Sequence, residues 1–509
     1  MKKVKFIIFL LLIISFIIFL FFGIFGTSLS FLSVEEIIKD REEKNGLINT
    51  LKINNIDTIY DKNNNMFYHM VPEDYENNIY VLNLELEDGF KYKIIGETLN
   101  IIKVDYSNEI EVIIYNDEYY HKTKIQLTNL PLINIITNEE ITNIDTNSTF
   151  TYINSKNTEK IVSGNTKIHV RGNTSKLFNK KSYKINFYNK NYTKEKKLYI
   201  SNFYYGDSLI LDGIYRDPSK IRNLLATDLW NDISNDFNNI NMYSEFVELF
   251  INNEYTGLYI LTEPVNRRKL NLVKNNNQDT SIVLKSQTWD TVKSDMDISN
   301  LNQDFYLGYE LKYPNNEDMF SISWNKILSK LSKYYDSGFN SSYDIISSTW
   351  NIENYIDIVI LNAFINNSDN NLYKNNYFYM NSLNDKEVYI QPWDMEYSFG
   401  LNFSNENELF VNKDINDYNK IYTNFKHKDT KVNELLIDRY YELRKNVLTK
   451  EYFDNLLDKY KNELVKGAAL RDSNNWYEYD IEKEIEDVRN WIYNRIEYFD
   501  SYIESLQNE

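Results

Sequence analysis

"EFVELFINNEYTGLYILTEP", residues 245–264, decides how this chain is read. Its two arms are rich in Phe, Val, Leu, Ile and Tyr, and Asn252-Asn253 stands between them, so the stretch predicts a β-hairpin. Upstream, "NTKIHVRG" (165–172) and "KKSYKINFY" (180–188) read as strands. "DPSKIRNLLATDLWNDI" (217–233) reads as a helix, with Pro218 in its first turn and Ile221, Leu224, Leu225 and Leu229 at helical spacing. Downstream, a helix is expected from Ile352 to Asn366, then strands in "NNYFYM" (375–380) and "EVYIQPWD" (387–394). The tail from Lys431 onward reads as helical. Ile481, Ile485, Val488, Ile492, Ile496, Phe499 and Ile503 form one stripe there, which is expected to pack in a core. Strands, a helix, a hairpin and then a mainly helical part make an α+β fold. The same order describes a two-lobed kinase: a small sheet lobe with one helix, a link, and a helical lobe.

Further out, the chain adds two more regions. From Leu47 to Leu130 apolar and polar residues alternate between Asp-Gly and Asn-Asp turns, which predicts a small β-sandwich-like spacer. Residues 31–46 read as a short amphipathic juxtamembrane helix. At the start, Lys2, Lys3 and Lys5 precede an apolar run from Phe6 to Phe25. A run of about 20 residues spans a bilayer. Its exit, "GIFGTSLS", is a poor cleavage site, so the reading is an uncleaved signal anchor with the body outside the cytoplasm; a cleaved signal peptide is the alternative, and either way the body is exported. The expected domains are a transmembrane anchor (1–27), a β-rich spacer (28–130) and a kinase-like domain (131–509).

Composition narrows the function. The 509 residues carry a net charge of −18, which disfavours non-specific nucleic-acid binding. There is no cysteine, so disulfides, thiolate metal sites and cysteine nucleophiles are excluded. The four histidines are scattered, which argues against a His-based zinc site or a Ser-His-Asp triad. Phosphoryl transfer remains open, because it needs only a cation for phosphates, an acid for a metal and an acid for the attacking hydroxyl.

Candidates for these roles occur in chain order. Lys184 stands mid-strand, where a lysine could meet nucleotide phosphates; a solvated edge lysine is the plain alternative. Arg171 opens the turn "RGNTSK" beside it and could help cap phosphates. Glu263 ends the hairpin at the place of a kinase hinge, where contacts to adenine come from the backbone. Asp369, in "NNSDNNLYKNN", and Asp394, in "PWDMEYSFG", flank a short two-strand excursion that would bring them together. Asn375 or Asn376 could supply a second metal ligand, and hard oxygen donors suit Mg²⁺ or Mn²⁺. A buried Asp394 would favour a working site, since an inert protein has no need of a buried carboxylate there. A pair of carboxylates acting on a carbohydrate is a further alternative.

Five stretches in this order resemble the CotH kinases: "RGNTS" with "KKSYKINF", "LILDGIYRDPSKIRNLLATDLW", the hairpin, "SDNNLYKNNYFYM" and "PWDMEYSFG". The resemblance covers about residues 130–509. It implies an atypical protein kinase that uses ATP with Mg²⁺ or Mn²⁺ to phosphorylate serines of a Ser-rich coat or surface protein. It also implies Lys184 as the nucleotide lysine, Asp369 as the catalytic acid and Asp394 as the metal acid. The chain departs from the family's PWDxD by carrying Glu396 as the second acid. The alternative implied by the same fold is a non-catalytic surface or spore-coat scaffold or adhesion protein.

Overall fold

The computed structural model describes residues 29–508, apart from 73–78, 98, 157–160, 202–203, 235–239, 277–278, 299–300, 339–340, 371, 403–415 and 422–424. The expected span at 1–27 lies outside the described residues. Among the described residues no helix is long and apolar enough to cross a membrane. The chain divides into two compact units, mixed α+β overall. The first runs to Gly213 and takes in Glu245–Leu261 and Asn462–Glu478; the second holds Ile214–Ser244, Thr262–Lys461 and Tyr479–Glu509.

The first unit begins with a sheet of β1 (Ile59–Asp61), β2 (Met66–Met70), β3 (Lys91–Ile94), β4 (Glu109–Tyr115) and β5 (Tyr119–Thr128), ordered β1-β2-β5-β4-β3. Phe67, Tyr92, Val112, Ile114 and Ile125 form its core together with Tyr80 and Leu84 from smaller strands. The helix expected over 31–46 is cut short and covers only Val34–Ile38. The Arg41 guanidinium donates to the Ile37 carbonyl at 2.7 Å and so ends the helix, and Glu42–Glu43 then pair with β5.

A closed barrel follows, made of β6 (Leu132–Ile136), β7 (Thr146–Ile153), β8 (Ile161–Arg171), β9 (Ser182–Tyr188), β10 (Ser208–Asp212), β11 (Ser244–Ile251) and β12 (Glu254–Thr262). Its order is β6-β7-β8-β9-β10-β12-β11. Side chains alternate across each strand. Phe150, Ile168, Ile185, Phe187, Leu209 and Leu211 are fully buried, while Lys167, Lys184 and Asn186 lie on the opposite, half-buried face. The hairpin that opened the reading is β11–β12. Asn252 and Asn253 have φ of 54° and 62°, the double left-handed geometry of a type I′ turn, which asparagine tolerates.

The second unit contains α1 (Arg222–Ile233) and a sheet of β13 (Ile282–Ser286), β14 (Phe305–Tyr306), β15 (Tyr309–Tyr313), β16 (Asn376–Met380) and β17 (Tyr389–Pro392), ordered β14-β15-β13-β16-β17. Pro218 precedes α1 instead of sitting in its first turn. Lys220, at φ 61°, interrupts the helical path, and the Asp217 carboxylate accepts the Arg222 N–H at 2.9 Å to start the helix. The other helices include α2 (Phe320–Ser337), α3 (Ile352–Ile365), α4 (Thr430–Leu443), α5 (Lys450–Leu464), α6 (Ala468–Asn475) and α7 (Ile481–Gln507). Segment 462–478, with the end of α5 and all of α6, belongs to the first unit. The α7 stripe is core from Ile485 onward, with Ile485, Val488, Ile492, Ile496, Phe499 and Ile503 buried, whereas Ile481 at the start of the helix is only half-buried.

Candidate functional site

The second unit brings two loops together. α3 ends where Asn366 turns left-handed (φ 54°, ψ 46°), a C-cap conformation that asparagine adopts at little cost. The Arg495 guanidinium, buried on α7, donates to the Phe364 carbonyl at 2.9 Å and also to that of Ala363. It thereby gives the Phe364 carbonyl at the helix end a donor and adds a second one to the Ala363 carbonyl, which also accepts the Asn366 N–H at 3.3 Å. The chain then runs through 366–375, enters β16, returns by β17 and makes a second loop at 393–400. Backbone hydrogen bonds join the loops: Ser368 N–H to Tyr397 O at 3.0 Å, Trp393 N–H to Asn375 O at 2.9 Å and Phe399 N–H to Ile365 O at 2.8 Å. The Asn370 side chain also donates to Asn375 O at 2.9 Å.

Both loops hold left-handed residues. Leu372 (φ 62°), Asn375 (58°), Asp394 (57°) and Phe399 (49°) all have positive φ. For Leu and Phe this costs energy that surrounding contacts must repay, and such strain gathers at functional sites.

Asp369 is buried. Its carboxylate accepts from the Lys374 ammonium at 2.6 and 2.8 Å and from the Asn375 amide at 3.0 Å. Burial pushes its pKa above the ordinary carboxylate value, and the Lys374 charge opposes that rise. Lys374 also lies 5.7 Å from the centre of the exposed Trp289 ring.

Asp394 is exposed, contrary to the buried acid expected from the sequence. Its left-handed backbone and the turn that follows carry the carboxylate outward, between the half-buried Trp393 and the buried Met395. Exposure removes the inference that burial alone demanded a function for it. Asn376 is fully buried at the start of β16. Its amide N–H donates to Lys374 O at 2.9 Å, and its Oδ1 has no hydrogen-bond partner. β16 and β17 pair Asn376 with Pro392, two residues before Asp394.

The sequence reading missed the support beneath the second loop. Asn223, in the first turn of α1, accepts the Met395 N–H at 3.0 Å. The Arg216 guanidinium donates to the Tyr397 hydroxyl at 2.9 Å, and that of Arg222 to Phe399 O at 3.3 Å. The signal was present in "RDPSKIRN", where three cations and one acid precede an apolar helix and end up buried. Lys374 was missed as well, although it stands five residues from Asp369.

The remaining candidates fall elsewhere. Glu263, in the second unit, is buried; it accepts the Tyr243 N–H at 2.7 Å and pairs with Lys269. Its own N–H donates to Tyr243 O at 3.3 Å, so the backbone group nearest the expected hinge is already engaged. Lys184 and Arg171 belong to the first unit, on β9 and β8, where the register sets Arg171 opposite Ser182 and Lys184 opposite His169. Lys180, four residues before Lys184, is sealed in the core and pairs with Asp472 of α6.

Residues 168–499 match the family described as CotH kinase protein. No curated protein matches the chain.

Proposed function

This chain belongs to the CotH kinase protein family, and on that premise we propose that it transfers the γ-phosphate of ATP to serine or threonine of a coat or surface protein. The observation that carries the reading is the joining of loops 366–375 and 393–400, which sets a buried acid and an exposed acid on hydrogen-bonded neighbours. Asp369 is the group proposed to orient the substrate hydroxyl and take its proton. Its raised pKa suits a proton acceptor better than an ordinary carboxylate. Lys374 and Asn375 hold its oxygens in place. Lys184 and Arg171 are proposed to hold nucleotide phosphates, and Glu263 to mark the hinge.

A divalent cation fits the residues present. Asn376 Oδ1 is a buried oxygen without a hydrogen-bond partner, and Asp394 offers an exposed carboxylate at the end of the adjoining strand. No cluster of three or more His, Asp or Glu suited to a metal occurs among the described residues. The ion proposed is Mg²⁺ or Mn²⁺, which take one or two protein carboxylates and complete their shell with phosphate and water. When bound, the ion would neutralise charge on the phosphates. Membrane anchoring through residues 1–27, with the body outside the cytoplasm or on a spore coat, belongs to the same proposal.

A non-catalytic scaffold is the second reading, favoured by the closeness of Lys374 to both Asp369 oxygens. The two separate by calorimetry with Mg-ATP or Mn-ATP beside a phosphorylation assay on a Ser-rich protein. Asp369→Asn is expected to keep nucleotide and metal affinity and lower the rate by about 10²–10⁴-fold. Asp394→Asn is expected to lose metal-dependent ATP affinity as well as turnover. If neither substitution alters binding or transfer, the scaffold reading replaces the kinase.

A further inference from the structure

Charge is unevenly distributed along this chain. Residues 167–197 contain ten Lys or Arg and a single acid, Glu195, a net of +9 in a chain whose total is −18. The other residues therefore carry −27. Only one of the ten cations, Lys180, is buried; the rest are half-buried or exposed.

The fold places Lys167, Arg171, Lys184 and the lysines of the following loop on the outer side of the barrel strands. On β8 and β9, Ile168, Ile185 and Phe187 fill the interior, so Lys167, Arg171 and Lys184 lie on the outer face. The loop after β9 folds back on that strand: Lys196 N–H donates to Phe187 O at 2.9 Å and Asn189 N–H to Lys194 O at 2.8 Å. The Tyr192 hydroxyl donates to Ser148 O at 3.0 Å, which pins the loop to β7. Lys167 lies 4.7 Å from the Tyr188 ring centre, so strand and loop cations share one neighbourhood. Lys194, Lys196 and Lys197 are exposed. Lys180 is buried against Asp472 and Asp145 meets His169 on this face, but the exposed Lys194, Lys196 and Lys197 are not among the groups proposed to hold phosphates, so the face has cations that ATP binding does not use.

We infer that this outer face of the barrel, from Lys167 through the Lys194–Lys197 loop, docks an acidic polypeptide segment of a protein partner. Charge complementarity carries the choice, since opposed potentials steer encounter and fix register. A lipid surface fits less well. The exposed rings here, Tyr199 and Tyr205, stack on each other at 4.2 Å with Lys197 over Tyr205, and Leu177 is the exposed aliphatic side chain of the segment. That is little apolar area to bury in a bilayer. Nucleic acid is the other polyanion to test, and a DNA oligonucleotide that binds where the acidic peptide does not overturns the inference.

The test needs no phosphate transfer, so it stands or falls apart from the kinase reading. A fluorescently labelled Glu/Asp-rich peptide is titrated into the full chain, with a Ser/Gly-rich peptide of equal length, phosphatidylserine vesicles and a DNA oligonucleotide as separate arms. Lys194→Glu, Lys196→Glu and Lys197→Glu are combined in one variant; all three are exposed, and circular dichroism checks its fold. The expected result is binding of the acidic peptide, at least tenfold weaker in the triple variant and falling steeply between 50 mM and 300 mM salt as exposed charges are screened. The inference is overturned if the acidic peptide binds no better than the neutral one, if the triple variant binds it equally well, or if vesicles bind and the peptide does not.

Discussion

Two lysine–aspartate pairs of similar length sit in the two units and have different surroundings. In the first unit, Lys180 and Asp472 are 292 residues apart in sequence, and neither side chain has any exposed surface. Lys180 also donates to Leu258 O at 2.6 Å, and Asp472 accepts the Leu258 N–H at 2.9 Å. Gly257 makes room for them: a Cβ there would stand 2.5 Å from Asp472 Oδ1. In the second unit, Lys374 and Asp369 are five residues apart and keep 22% and 10% of their side-chain surface. The sealed pair cannot exchange partners without opening the core. The second pair can release Asp369 to another group while Lys374 stays solvated. The two pairs match in length and differ in their access to water.

The largest expected effect comes from breaking the sealed pair. Asp472→Asn keeps the shape but leaves the Lys180 ammonium buried without its counter-charge. Loss of one partner of a buried pair costs about 3–5 kcal/mol. Urea unfolding should show a loss of that size with an unchanged slope. The double variant Lys180→Met/Asp472→Leu should lose less than Asp472→Asn alone, because no charge is then stranded. A loss below about 1 kcal/mol in the single variant would mean that the pair is not what ties α6 to the barrel.

The contrast also shows what the sequence could reveal. Local patterns were legible: the Asn252-Asn253 hairpin, the β8 and β9 strands, the α7 stripe and the strand excursion between Asp369 and Asp394. Each rests on periodicity or turn chemistry within a few residues. Barrel closure was not legible, because the parallel pairing of β6 with β11 joins segments more than a hundred residues apart. Nor was the partner of Lys180, or the hold of Arg216, Arg222 and Asn223 on the second loop, since those contacts exist only after the chain folds back. The exposure of Asp394 depends on a left-handed backbone at a residue that most often avoids it, and no spacing rule gives that.

An intermediate effect is expected at the open pair. Burial raises the Asp369 pKa and Lys374 opposes the rise. A proton-accepting carboxylate is active only when ionised, so transfer should fail as pH drops through that raised value. Lys374→Met removes the opposing charge, so the pKa rises further and the acid limb moves to higher pH. The stability term has the opposite sign: with the folded pKa above the unfolded one, the folded state holds more protons, and stability falls as pH rises through that window. The pH–rate profile of parent and variant checks this. An acid limb that stays in place, or moves down, means that Asp369 is not the titrating group.

The smallest effect completes the series and tests whether access is the right variable. Lys124 and Glu109 pair across β5 and β4 as neighbouring sheet residues, with 42% and 40% of their side chains exposed. Contact distance alone would rank this pair with the sealed one. Water and salt screen it, and holding two long side chains in one geometry costs entropy, so exposed pairs contribute about 0–1 kcal/mol. A double-mutant cycle on Lys124→Ala and Glu109→Ala should return a coupling of about 0.5 kcal/mol or less, shrinking further in 1 M salt. A coupling of about 2 kcal/mol or more would show that proximity, and not seclusion from water, sets the strength of these pairs; the distinction drawn between Lys180–Asp472 and Lys374–Asp369 would then lose its physical basis.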